Sequence, residues 1–167
     1  MQIIFAHKMS ETDFELLYNN IFNRDFNFGD EEEQTIPDKL LKPDEVFELE
    51  ADVPIAWTKR ESEYAHTLLS LTMKDYEEVD ARIKSAANNW EIERISPIDS
   101  ILIHLGVAEF MHFPDIPSKV TMNEMLEIAK KFSTPKSNIF INGVLNSILL
   151  ELTEEGKVVK TGRGLRQ

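Results

Sequence analysis

The stretch from Ser96 to Gly156 constrains the fold more than any other part of this chain. Three apolar stripes of helical period follow one another there, separated only by short turns that carry proline. Ser96-Pro97 reads as an N-cap followed by proline at the first helical position, where a missing N–H has no partner to lose. Ile98, Ile101, Leu102, Leu105 and Ala108 then run down one face. "HFPDIP" reads as a turn, and Pro117 opens a second helix striped by Met122, Met125, Leu126, Ala129 and Phe132. Thr134-Pro135 opens a third, whose stripe is Ile141, Leu145, Ile148, Leu149 and Leu152, and Glu154-Glu155-Gly156 stops it. Nowhere does the sequence alternate polar and apolar residues over a stretch long enough to need a strand. The expected class is all-α, a bundle or irregular helical array.

Upstream the signals are weaker. Within Met1 to Phe28, Ser10 is expected to cap a helix with Glu11, Asp13 and Glu15 in its first turn. Phe14, Leu17, Tyr18 and Ile21 form its apolar face. "NFGDEEEQTIPDKLLKPDEVFELEADVP" reads as a long acidic linker. Its run Asp30 to Glu33 lacks the alternating ligands and the glycine of a calcium loop, so it reads as solvated surface. Thr58 to Ala87 is helical, with a stripe of Tyr64, Thr67, Leu68 and Leu71, then Tyr76, Val79, Ala81 and Ile83. A break falls near Lys74, Asp75 caps the second of the two helices, and Asn88-Asn89-Trp90 ends it. The expected organisation is an acidic N-terminal helix and linker over 1–56, a helical domain over 57–155 and a basic tail over 156–167.

Composition narrows the classes of function. Among 167 residues there is no cysteine, which removes disulfides, zinc-thiolate sites and thiol nucleophiles and fits a reducing compartment. No apolar run reaches membrane-spanning length and no signal peptide is legible at the start, so a cytoplasmic protein is expected. The net charge of −12 is unevenly spread: 10 basic and 25 acidic residues up to Ile116, against 8 and 5 from Pro117 onwards. Such a split suggests two faces with different partners, the alternative being an acidic surface with a frayed basic tail.

No catalytic constellation is visible. His7, His66, His104 and His112 have neither i, i+4 pairing nor metallohydrolase spacing, and His104 reads as a core-edge histidine. Phosphate-binding and nucleophile-elbow motifs are missing, and the scattered methionines suit core filling. A binding module without metal or cofactor is expected rather than an enzyme.

Two stretches carry a more specific signal. "ERISPIDSILIHLGVAEF" and "DIPSKVTMNEMLEIAKKFSTPKSNIFINGVL" resemble, almost position for position in the second case, the helices of the NusB family of transcription antitermination factors. The resemblance covers Trp90 to about Leu152, and the "KTGRGL" ending resembles the longer Bacteroidetes-type members. Upstream the match fades. Residues 1–56 hold 4 basic against 14 acidic residues where members of the family carry an Arg-rich helix, and "DFELLYNNIF" only faintly resembles it. That is the pattern expected of a C-terminal portion of a longer protein, or of a divergent form.

The resemblance implies an all-helical bundle of two small subdomains that binds boxA-type single-stranded RNA. It implies partners too, the ribosomal protein NusE and the transcription elongation complex. Carried over residue by residue, it assigns RNA binding to Lys119, Lys131, Phe132, Lys136, Ser137, Phe140 and Asn142, and partner binding to Glu93 and Asp99. Single-stranded RNA independently asks for an aromatic ring, cations and helix N-terminal N–H groups. Phe140 lies off the Ile141 stripe and can face outward; burial between helices is the alternative for it and for Phe132. Asp99 reads equally as a first-turn acid on the helix dipole. Gly143 poses its own question, because glycine within a helix costs about 1 kcal/mol against alanine. A close helix crossing on its bare backbone is the expected reason, with a direct RNA role for Asn142 as the alternative. Two other readings remain: an accessory domain of an RNA cytosine methyltransferase, and a protein-only module that has lost RNA contact.

Overall fold

The computed structural model of the chain describes residues 1–10, 12–22, 57–87, 95–134 and 136–165. Seven α-helices occur there: α1 Gln2–Ser10, α2 Phe14–Phe22, α3 Lys59–Lys74, α4 Tyr76–Ala86, α5 Pro97–His112, α6 Ser118–Phe132 and α7 Ser137–Glu154. A single 3-10 turn, Gly162–Leu165, comes after them. No strand occurs among the described residues, and none of their helices is long and apolar enough to cross a membrane.

The first helical stretch is two helices. Ser10 ends α1, its hydroxyl donating to the Ala6 carbonyl at 2.7 Å, and Asp13 is the residue that caps α2, accepting from Leu16 N–H at 3.0 Å. The expected cap at Ser10 is thus displaced by three positions, because a carboxylate oxygen reaches the free N–H groups of the next turn. α3 opens on Thr58 with a reciprocal pair: Glu61 N–H donates to Thr58 Oγ1 at 3.3 Å and Thr58 N–H donates to Glu61 Oε2 at 2.8 Å. Asp75 does separate α3 from α4, but its side chain makes no cap bond and pairs with His112 Nε2 at 2.5 Å instead. The buried positions of α3 are Leu68, Leu69 and Thr72, one step round from the expected stripe, and in α4 they are Val79 and Ile83.

α5 is the axis of the fold. It packs against α1, α3, α4, α6 and α7, and every residue from Ile101 to Phe110 is buried. A one-faced stripe underestimates it: a helix apolar all round is one covered all round. His104 sits inside this sheath. Its ring stacks on Tyr76 with centroids 3.8 Å apart, Nδ1 lies 2.7 Å from the Ser100 carbonyl, and burial lowers its pKa below 6.5. Gly106 lets α5 approach its neighbours, since a Cβ there would lie 3.0 Å from Leu145 Cδ2 and 3.3 Å from Met125 Cγ. The close crossing expected at Gly143 is therefore made at Gly106. Gly143 is exposed, and a Cβ built on it meets nothing within 4 Å.

α7 ends as the sequence suggests. Gly156 takes φ +70°, and the N–H groups of Gly156 and Lys157 donate to Thr153 and Leu152 carbonyls at 3.0 and 2.9 Å. The described residues after it, as far as Leu165, are not frayed; they form a strap across the α5–α6 turn. Thr161 N–H donates to the Pro114 carbonyl at 3.0 Å, and Lys160 Nζ reaches the Phe113 and Glu109 carbonyls at 3.1 and 3.4 Å, where a cation suits a helix C-terminus. Gly164 lies so close to Pro114 that a Cβ would come within 1.9 Å of its carbonyl oxygen. Arg82 ties α4 to the end of α7, contacting Glu78 at 2.9 Å, Glu151 at 2.5 Å and Glu155 at 2.8 Å.

Candidate nucleic-acid interface

The junction of α6 and α7 collects most of the candidate residues. α6 ends on Lys130, Lys131 and Phe132, and its last carbonyls turn inward through Ser133 N–H, which donates to Ala129 at 2.8 Å. Phe132 ends a stripe but the helix stops before it can pack, so its ring is 55% exposed. Lys131 and Lys136 are exposed on either side of the turn, and neither forms an ion pair among the described residues, whereas Lys130 is paired with Glu127. An aromatic ring and two ammonium groups in no ion pair among the described residues thus border one short loop.

The interior of the same junction differs from expectation. Ser137 is 3% exposed, its hydroxyl donating to Asp99 Oδ2 at 2.7 Å and lying 2.8 Å from Ser133 Oγ and 2.9 Å from Thr134 Oγ1. Asp99 is 5% exposed; Ser133 Oγ donates to its other oxygen, and its own N–H donates to the Ser96 cap at 3.1 Å. The carboxylate expected on an open partner-binding face is instead folded onto the entry of α7. Among the described residues this buried acid forms no ion pair and is held by hydroxyl donors, the arrangement that makes burial of a carboxylate tolerable. Glu93, the other acid assigned to a partner, lies outside the described residues.

Phe140 is buried at 6% exposure within the main core, so the outward ring expected from its offset to the Ile141 stripe is not what the fold presents. Both 140 and 141 turn inward because the first turns of α7 are sunk between α5 and α6. The outer face of α7 runs through Ile139, Asn142, Gly143, Asn146, Ser147 and Leu150, uncharged until Glu151 and Glu154 near its C-terminal end. Asn142 belongs to that face, and Asn146 Nδ2 donates to its carbonyl at 3.0 Å. Lys119, in the first turn of α6, stands about 20 Å along the helix from Phe132 and is not part of the cluster. Ile139, exposed at 69% beside Lys136, was not singled out by sequence; its position one turn into a helix whose next two residues are buried is the signal that would have found it.

The NusB family model matches residues 1–149. The chain belongs to the NusB family. Similar proteins include the transcription antitermination protein NusB of Salinibacter ruber, 43% identical over 113 residues that make up 68% of this chain and 71% of the relative. That of Chloroherpeton thalassium is 36% identical over 103 residues, 62% of this chain and 49% of the relative. That of Natranaerobius thermophilus is 35% identical over 116 residues, 66% of this chain and 84% of the relative. A solved structure of Thermotoga maritima NusB shares the fold, with a TM-score of 0.63 over 90% of this chain and 84% of that one at 23% identity. The all-helical NusB fold and the resemblance carried by α5 to α7 therefore stand, and the family match extends through α1 and α2, where the sequence resemblance was faint.

Proposed function

We propose that this NusB-family chain is a transcription antitermination factor, acting in the cytoplasm by binding rather than catalysis. It takes a boxA-like single strand of RNA together with a NusE-type ribosomal protein, and joins the elongation complex. The observation that carries the RNA part is the exposed ring of Phe132 between Lys131 and Lys136 at the α6–α7 loop. A ring open to solvent can stack on a base, and exposed cations in no ion pair among the described residues are available to phosphates. Asn142 and Ile139 extend that surface along α7. Phe140 and Ser137 support it from within, as the core and hydroxyl network under the loop.

The test is a salt titration of binding to a boxA-like single strand with NusE present. Phe132→Ala is expected to weaken affinity by about 1–3 kcal/mol. Lys131→Ala and Lys136→Ala should each reduce the salt slope by about 0.7, one phosphate contact on a single strand. Lys119→Ala should leave both unchanged. No binding of the parent chain at low salt would sink the RNA reading and favour a module that meets only protein.

A further inference from the structure

A cleft of about 410 Å³ opens between α1, the end of α2, α3, α5 and α6, on another part of the molecule from the α6–α7 loop. Its volume lies in the range of pockets that hold a small ligand or one or two side chains. Leu68, Leu105 and Met125 give it an apolar floor, and the rings of Phe22 and Trp57, tilted against each other with centroids 4.8 Å apart, form one wall. The same cleft is lined by two carboxylates, Glu109 and Glu124.

Glu109 is only 4% exposed and its carboxylate accepts a hydrogen bond from the Tyr64 hydroxyl. Burial raises the pKa of that hydroxyl, as do its bond to Glu109 and the negative charges of both Glu109 and Glu124. Among the described residues no lysine, arginine or histidine side chain, and not the Met1 ammonium at the rim, forms an ion pair with either acid. Lys160 feels the charge of Glu109, but its ammonium is hydrogen-bonded to the backbone carbonyls of Glu109 and Phe113 rather than to the carboxylate. Glu109 is thus a buried acid at an apolar, aromatic-walled cleft with no direct ion pair among the described residues, and the exposed Glu124 adds a second negative group to the same lining.

We infer that this cleft receives an arginine side chain, flanked by apolar residues, from a peptide segment of a partner protein. A guanidinium is weakly hydrated, flat enough to lie against aromatic rings and able to bridge two acceptors. A compact hydrated ion would have to give up its water to a mostly apolar wall. The overall charge of −12 draws a basic segment toward the surface before contact. The inference does not depend on RNA binding.

Trp57 supplies the readout. Acetyl-Leu-Arg-Leu-amide, its Gln analogue and its Glu analogue are titrated into the full chain carrying Trp90→Phe, following tryptophan emission and heat of binding. The arginine peptide is expected to saturate with a change in Trp57 emission, and the Gln and Glu analogues to bind at least tenfold more weakly. Glu124→Gln changes an exposed residue and keeps the fold. It should weaken the arginine peptide at least tenfold while leaving the Gln analogue unchanged, and Glu109→Gln should act in the same direction if its melting temperature stays close to that of the parent. Equal affinity for the arginine and Gln peptides, indifference to Glu124→Gln, or no saturation at millimolar peptide would each overturn the inference.

Discussion

Ser137 Oγ donates to Asp99 Oδ2 at 2.7 Å, which ties the first turn of α7 to the first turn of α5. Removing the hydroxyl leaves a buried carboxylate short of a donor. Ser137→Ala is expected to cost about 1–3 kcal/mol in urea unfolding. Asp99→Lys, which puts an unpaired cation in the same place, should cost more, and Asp99→Asn less. The Asp99→Asn and Ser137→Ala changes should be non-additive by about 0.5–3 kcal/mol, and strict additivity would mean the bond contributes nothing.

The two helical glycines should respond in opposite senses. Gly143→Ala fills open space on an exposed helix face and is expected to stabilise by up to about 1 kcal/mol, raising the melting temperature by about 2–4 °C. Gly106→Leu drives a side chain into Leu145 and Met125 and should cost at least about 1–3 kcal/mol. A Gly143→Leu variant that melts well below the parent would show that something covers this face.

Gly164→Ala tests the strap. A methyl group cannot share space with the Pro114 carbonyl, which is backbone and has nowhere to go. The expected outcome is loss of the Thr161 to Pro114 hydrogen bond, with trypsin cutting faster at Lys157 and Lys160 while the helical core melts within a few degrees of the parent, as for a loss of about 1 kcal/mol.

Acid should destabilise the fold in two steps. Hydrogen bonds from Arg82, then Lys157, pull Glu155 down to about 2, and the same two cations, Lys157 first, lower Glu78. A carboxylate whose folded pKa is depressed gives stability that is complete above its ordinary value of 4.5 and is lost as pH falls from there toward about 2. His104 acts higher. Its folded pKa lies below 6.5 because burial disfavours the charged ring, so the unfolded chain takes up the proton first and stability begins to fall below pH 6.5. Urea midpoints between pH 7 and 3 should show both steps. Arg82→Met should flatten the lower one, and His104→Gln the upper one.

Much of the architecture was legible because it is written in local chemistry. Pro97, Pro117 and Gly156 punctuate α5 to α7, and their apolar spacing leaves no other period. What lies opposite a residue is not written locally. Gly143 and Gly106 are alike as helical glycines in the sequence, and only packing makes Gly106 the crossing. Asp99 looked like a surface acid, although Ser133 and Ser137, four residues apart at a helix entry, were the hint that hydroxyls await a buried acceptor. The acid-lined cleft draws on five helices and the segment before α3, so no single stretch of sequence contains it.

The sheathed stretch from Ile101 to Phe110 has a consequence on the time axis. Ten consecutive buried residues, wrapped by five other helices, offer little local route by which deuterium can replace their amide protons. Exchange there has to wait for the whole molecule to open, so these amides should be the slowest in the chain and should all report one free energy. That common value would be the global stability, read in native buffer without denaturant.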